Sequence, residues 1–236
     1  AESIFNELGF LLNEGENAIG VVLGDGWFAG NMGWSTQRNI WGSNLSLLAE
    51  LEIELPNGSF EKIVSGEDWR FQLGSIRESD IYNGETVDMR HILNGWDRPN
   101  YDDSNWGNAI LAEKPTAEVV CKPGRPVKKQ EELAAVTLSE PKFGVHVFDL
   151  AQNMVGLIRL KIHGHQWGDE VVVRYAEMLQ SDGMIYTENL RGAKCTDRII
   201  CNEWGVIEFV PKFTFHGFRY VEVTGLRRKP DLSDLT

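Results

Sequence analysis

The segment SDIYNGETVDMR, Ser79 to Arg90, places Asp80, Asn83, Glu85 and Asp88 within nine residues. Carboxylate and amide oxygens at this density suit a calcium ion, which takes about six to eight such ligands. They also suit sugar hydroxyls, which need acceptors and amide donors in fixed places. The spacing is not that of an EF-hand loop, and Asn83-Gly84 alone makes a good turn. Solvated turn chemistry is the plainer reading of the same residues. YDDSNW, Tyr101 to Trp106, raises the same metal question. There, Asp and Ser side chains bonding their own backbone, with Trp106 anchoring the next strand, is the simpler account.

Other chemistries find less support. GDGWFAG, Gly24 to Gly30, is glycine-spaced but opens no helix, so it lacks the amides and dipole of a phosphate loop. It reads as a tight bend that carries Trp27 toward a core or a groove. The five histidines are scattered, with His163 and His165 two apart, and neither H-E-x-x-H nor G-x-S-x-G occurs. Glycosidase carboxylates meet in space rather than in sequence, so spacing does not exclude a catalytic pair. Glu177, Asp182, Arg191, Asp197 and Arg219 stand out among the strands of the second half, as a salt-bridge network or an interface.

The elements that would position these residues are strands. With 236 residues and a formal charge of −12, the chain can form one large domain or two modest ones. The acidic excess argues against nucleic acid, whose phosphates require lysines and arginines. No apolar run approaches the roughly 18 residues of a membrane span. From Leu45 to Leu55 apolar residues hold the odd positions, while Glu50, Glu52 and Glu54 hold even ones. Such alternation predicts a half-buried strand, with Pro56-Asn57-Gly58 as a turn and Phe60–Val64 as hairpin partner. Trp69, Phe71 and Leu73 alternate in the same way. In the second half Ile158, Leu160 and Ile162 alternate, Gly164–Asp169 form a turn, and Val171, Val173 and Tyr175 oppose Glu170, Val172 and Arg174. Further strands are predicted at Asp197–Cys201, Val206–Val210 and Phe218–Thr224, and one short helix over Ser3–Leu12.

Many strands without intervening helices point to antiparallel sandwiches. A proline-rich seam between Glu113 and Glu140 marks the passage from one to the other. Cys121, Cys195 and Cys201 form neither a zinc motif nor a disulfide framework, and free, partly buried thiols are expected. The start AESIFNELGF lacks a signal-peptide pattern, which together with the odd cysteine leans toward the cytoplasm.

Seven phrases together resemble the β-rich region upstream of the catalytic barrel in bacterial α-L-rhamnosidases. They are GENAIGVVLGDGWFAG, SDIYNGETVDMR, Gly95-Trp96, YDDSNW, FDLAQNMVGLIRL, RYAEMLQSDGMIYTENLRGAKCTD and FTFHGFRYVEVTG, in the family's order across most of the chain. One departure is Leu150-Ala151, where the family usually has an aromatic residue and a glycine. The resemblance implies an all-β protein of two antiparallel sandwiches: a jelly roll over 1–125, possessing carbohydrate-binding potential, and a concanavalin-like sandwich over 126–236. In some members a related module binds L-rhamnose with Ca²⁺. Asp80, Asn83, Glu85, Asp88 and Trp96 are the residues to which such a sugar site would map, and Asp80 and Asn83 would hold the ion. Glu177, Arg191 and Arg219 would face the catalytic domain.

The family's acid and base belong to a helical barrel, in an acidic motif ending in Gly-Trp, and nothing of that kind follows Gly225. The expectation is therefore a non-catalytic fragment that requires no cofactor. Its partners would be L-rhamnose-containing glycosides and the absent catalytic domain, with neither nucleic acid nor membrane, and a homodimer could form through the exposed face. The alternatives are a self-contained β-sandwich glycosidase using a Glu/Asp pair, and a structural adaptor without ligand.

Overall fold

A computed structural model describes residues 2–3, 12–33, 37–113, 118–121, 124–125, 127–203 and 205–236. Of the helix expected over Ser3–Leu12, residues 4–11 lie outside the described residues, as do parts of the proline-rich seam; Ser3 is in a strand and Leu12 is not helical. The chain is built of strands; the only α-helix among the described residues is the single turn Gly26–Ala29. No described helix is long and apolar enough to cross a membrane. Two compact units are present, both discontinuous in sequence. One holds residues 1–23, 46–72 and 93–128, the other residues 24–45, 73–92 and 129–236.

The second unit contains a seven-stranded sheet. Its strands, in chain order, are β1 (Ile76–Asp80), β2 (Gly84–Asp88), β3 (Thr137–Lys142), β4 (Val145–Gly156), β5 (Glu170–Ala176), β6 (Thr196–Ile200) and β7 (His216–Thr224). They lie side by side in the order β1-β2-β6-β5-β7-β4-β3. Pairing is antiparallel except at β2–β6, where Thr86, Val87 and Asp88 run parallel to Arg198, Ile199 and Ile200. The predicted alternation holds in β5: Val171, Val173 and Tyr175 point into the core, opposite Glu170, Val172 and Arg174.

A second layer, Leu160–Ile162 paired with Ile207–Phe209, buries its alternate side chains against that face. Phe148, Phe218, Val221 and Val223 come from the sheet to meet Leu160, Ile162, Ile207 and Phe209, closing a sandwich. Each such side chain, fully withdrawn from water, contributes about 1.5–3 kcal/mol. On the opposite face the short hairpin Met178–Leu179/Ile185–Tyr186 covers Val147, Ala176 and Tyr220. Strand β4 changes register between Asp149 and Met154, and Ala151 within that bulge has φ +63°.

The first unit consists of two-stranded ladders. Glu50–Glu54 pairs with Phe60–Val64 as predicted, Glu52 opposite Lys62, and the turn closes through Gly58 N–H donating to the Leu55 carbonyl. The glutamates are exposed, while Leu51 and Ile53 are half-buried. Arg70–Phe71 pairs with Gly107–Asn108, and Glu2–Ser3 runs parallel to Val120–Cys121. Among the described residues every fully buried hydrophobic side chain belongs to the second unit.

Candidate functional site

The acidic residues singled out in the sequence gather where β1–β2 joins the sheet. Asp80 ends β1 and is fully buried. Its Oδ2 accepts from the Asn31 backbone N–H (2.6 Å) and the Asn31 side-chain amide (2.9 Å). Its Oδ1 accepts from the backbone N–H groups of Tyr82 and Asn83, each at 2.9 Å. Burial pushes the Asp80 carboxyl upward, but these four hydrogen bonds outweigh it and hold the group below the usual carboxylate range. Asp80 thus fastens the β1–β2 turn and the end of GDGWFAG together. Trp27, displayed by that loop, meets the Tyr82 ring edge-on at 5.3 Å.

Glu85 and Asp88 also serve the framework. Glu85 Oε2 accepts from the backbone N–H groups of Lys212 (3.0 Å) and Phe213 (2.9 Å). Burial raises its pKa, those two amides restrain the rise, and nearby Asp197 adds to it. Asp88 caps the 3-10 turn Met89–His91 by accepting from Arg90 N–H, and pairs with both ends of the Arg90 guanidinium at 2.8 and 2.7 Å. That ion pair is the main reason its carboxyl stays below the usual range.

Asp197 on β6 is the centre of the joint. Its Oδ1 accepts from Glu85 N–H at 2.7 Å and its Oδ2 from the Tyr175 hydroxyl at 2.5 Å. His216 stacks on Tyr175 with ring centroids 4.1 Å apart, and its Nε2 lies 3.5 Å from Asp197 Oδ1. Cys195 Sγ is 3.3 Å from His216 Nδ1. Cys, His and Asp brought together here have the composition of a nucleophilic relay, but the environment defeats it. Burial, with Asp197 adding to it, pushes the Cys195 thiol up to about 12, so the thiolate is absent near neutrality. Burial also raises Cys201, to about 11, and both thiols are free and buried rather than partly so. The side chain of Cys121 lies outside the described residues.

The donor set at Asp80 and Asn83 does not fit a calcium ion. Each Asp80 oxygen already accepts two N–H bonds, while Asn83 gives its N–H to Asp80 and its carbonyl to Thr196 N–H. A six- to eight-oxygen shell cannot be assembled from what is left. Among the described residues no group of three His, Cys, Asp or Glu side chains is arranged to hold a metal. Trp96 belongs to the first unit, where its half-buried ring lies over Gly20 so closely that a Cβ there would overlap it. In YDDSNW, Asp102 accepts from Ser104 N–H at 3.1 Å and Tyr101 packs edge-on to Trp106, the turn chemistry expected.

Of the residues expected at a domain interface, Arg219 lies within β7, Glu177 directly follows β5, and Arg191 follows a 3-10 turn. Glu177 accepts from the side-chain amides of Asn153 (3.0 Å) and Asn189 (3.4 Å), which links it to the turn Glu188–Leu190 that Arg191 follows. Arg219 grips Asp149 through two bonds of 2.8 Å and lies 5.0 Å from the centre of the Tyr220 ring. Asp182 accepts from Met184 N–H within a turn.

One open cleft, of about 390 Å³, is lined by His165, Gln166, Trp167 and Glu203. The sequence predicts a turn over Gly164–Asp169 and gives Trp167 no role. A Trp beside Gly168 and Asp169 carries no signal of its own, because exposure depends on what packs nearby.

The fold and the disposition of its acids define a class: an all-β sandwich region whose buried carboxylates hold strands and loops together. The family comparison agrees. Residues 7–131 match the α-L-rhamnosidase N-terminal domain, and residues 139–236 match the bacterial α-L-rhamnosidase concanavalin-like domain. The chain belongs to the bacterial α-L-rhamnosidase family.

It is 44% identical over 223 residues to an α-L-rhamnosidase of Streptomyces avermitilis, covering 94% of this chain and 22% of that protein. A Formosa agariphila α-L-rhamnosidase is 39% identical over 229 residues, covering 95% and 24%. Among solved structures, the S. avermitilis α-L-rhamnosidase complexed with L-rhamnose superposes with a TM-score of 0.85 at 44% identity, over 89% of this chain and 20% of that one. The native enzyme of Aspergillus terreus gives 0.84 at 32% identity, over 90% and 25%. The chain therefore spans less than a quarter of the length of these curated relatives.

Proposed function

We propose that this chain is the non-catalytic β region of an α-L-rhamnosidase, and that the whole enzyme hydrolyses terminal α-L-rhamnosyl residues of glycosides. The observation that carries the reading is the placement of the carboxylates. Glycoside hydrolysis needs two of them across a cleft, about 6.5–9.5 Å apart in an inverting enzyme, one to protonate the leaving oxygen and one to activate water. The close, sheltered pair here, Glu85 and Asp197, is closed off and bonded to backbone N–H groups. The open cleft is lined by a single carboxylate, Glu203.

The region's work in this reading is to support and position a catalytic domain. Glu177, Arg191 and Arg219 supply polar groups for that contact. The test is an aryl α-L-rhamnoside assay on the purified chain, alone and mixed with a separately produced catalytic domain of the same enzyme. No release by the chain alone, with stabilisation or activation of the added domain, is the expected result. Turnover by the chain alone that Glu203→Gln abolishes would replace this reading with the self-contained glycosidase.

A further inference from the structure

We infer that the cleft beside Trp167 is a sugar-binding site, taking one pyranose against the exposed indole. The inference rests on the family reading only for the choice of L-rhamnose as first probe; the site itself follows from the geometry.

The turn that carries Trp167 is fastened on every side. Gly168, at φ +82°, donates its N–H to the Cys201 carbonyl at 2.9 Å, and Cys201 N–H donates to the Asp169 carbonyl at 2.8 Å. Asp169 N–H donates to the Gln166 carbonyl at 3.1 Å, and Gln166 N–H returns to Asp169 Oδ2 at 2.7 Å. The Arg227 guanidinium clamps the same carboxylate through Nε and Nη2. On this rigid turn the Trp167 side chain stays 53% exposed. A tryptophan held outward by so many backbone bonds is presented to something, because the same turn closes equally well with a small polar residue.

The chemistry around the indole selects the ligand. Both ring nitrogens of His165 are shielded from solvent and lack a hydrogen-bond partner among the described residues. Closed to a water-sized probe as the ring stands, they bring no hydrogen bond to the cleft, whose polar groups are Gln166 and Glu203. Gln166 adds an amide that both donates and accepts, and Glu203 adds an acceptor-only carboxylate.

An anionic ligand would be repelled by Glu203 and by a chain of net charge −12. A purely apolar ligand would cover Gln166 and Glu203 without pairing them. A pyranose satisfies both halves: its C–H face lies on the indole and its hydroxyls meet mixed donors and acceptors. The volume of about 390 Å³ sits at the small end of ligand clefts, enough for a short ligand rather than a polymer groove.

Saturation-transfer NMR of the full chain with methyl α-L-rhamnopyranoside and with L-rhamnose tests this. Saturable binding in the millimolar range is expected, weakened about tenfold or more by Trp167→Ala and several-fold by Glu203→Gln. Trp27→Ala, altering another exposed indole, should leave it unchanged. Trp167 is on the surface, so Trp167→Ala should fold, and circular dichroism checks that it does. Absence of saturable binding up to ~50 mM of either sugar, or binding that Trp167→Ala leaves intact, would overturn the site. Neither outcome touches the proposed function, which stands or falls on the rhamnoside assay with the catalytic domain.

Discussion

Asp169 and Ala151 show how much a single position carries in this fold. The Arg227 guanidinium holds the Asp169 carboxyl down at about 2, from its ordinary 3.8, with Gln166 N–H assisting. A carboxyl with a lowered folded-state pKa stabilises the protein above its unfolded value and loses that contribution as pH falls through the folded one. Asp169→Asn should thus cost about 1 kcal/mol at pH 7, once the half-exposed arginine is discounted for solvent screening, with the cost fading as pH falls toward and below about 2. Urea unfolding across that range measures it; a cost independent of pH would contradict the ion-pair account. Ala151 tests a departure visible in the sequence. At φ +63° an L-residue carries roughly 1–2 kcal/mol of strain that glycine avoids. Ala151→Gly should raise stability by about 1 kcal/mol in the same measurement, and a loss would mean that the methyl group packs to advantage.

Between elements, the parallel joint of β2 and β6 is the feature on which the candidate acids depend. Gly84 has φ +104°, and a Cβ there would run into the Thr196 carbonyl and Asp197. Only glycine lets the two backbones come so close. Gly84→Ala should cost about 3 kcal/mol and loosen the β1–β2 hairpin, seen as faster amide exchange at Glu85 and Thr196. Gly217→Ala, where a methyl group meets nothing, is the matched control and should be near neutral.

The strands themselves are legible in the sequence, since alternation alone marks β5, Leu160–Ile162 and the Glu50–Val64 hairpin. The pairing of Gly84–Asp88 with Thr196–Ile200 is not, because the partners are more than a hundred residues apart and alternation says which face is buried, never which neighbour lies beside it. For the same reason the acidic segment reads as solvated turn chemistry, or as an exposed sugar or calcium site, where the structure buries Asp80, Glu85 and Asp88. Oxygen density is alike in a ligand shell and in a set of buried acceptors for backbone N–H groups.

At the scale of the whole molecule, burial is uneven. The second unit holds all the fully buried hydrophobic side chains among the described residues, while Phe60, Ile63, Val64 and Phe71 of the first stand open to solvent. Apolar surface of this kind is satisfied in solution by a second copy when no other domain covers it. The purified chain is expected to self-associate with concentration, followed by light scattering, and to revert to monomer when Phe60 and Val64 are replaced by Thr. A monomer at all concentrations would show that this exposed apolar surface is too small or too scattered to drive association.

Composition, alternation and ordered phrases determined by themselves that this is an all-β member of the rhamnosidase family, since those properties are local and repeat along the chain. Only the tertiary structure decided that Asp80, Glu85, Asp88 and Asp197 face inward, that Cys195 is inert, and that Trp167 stands beside an open cleft. Burial and partnership arise from residues far apart in sequence, and no local pattern contains them.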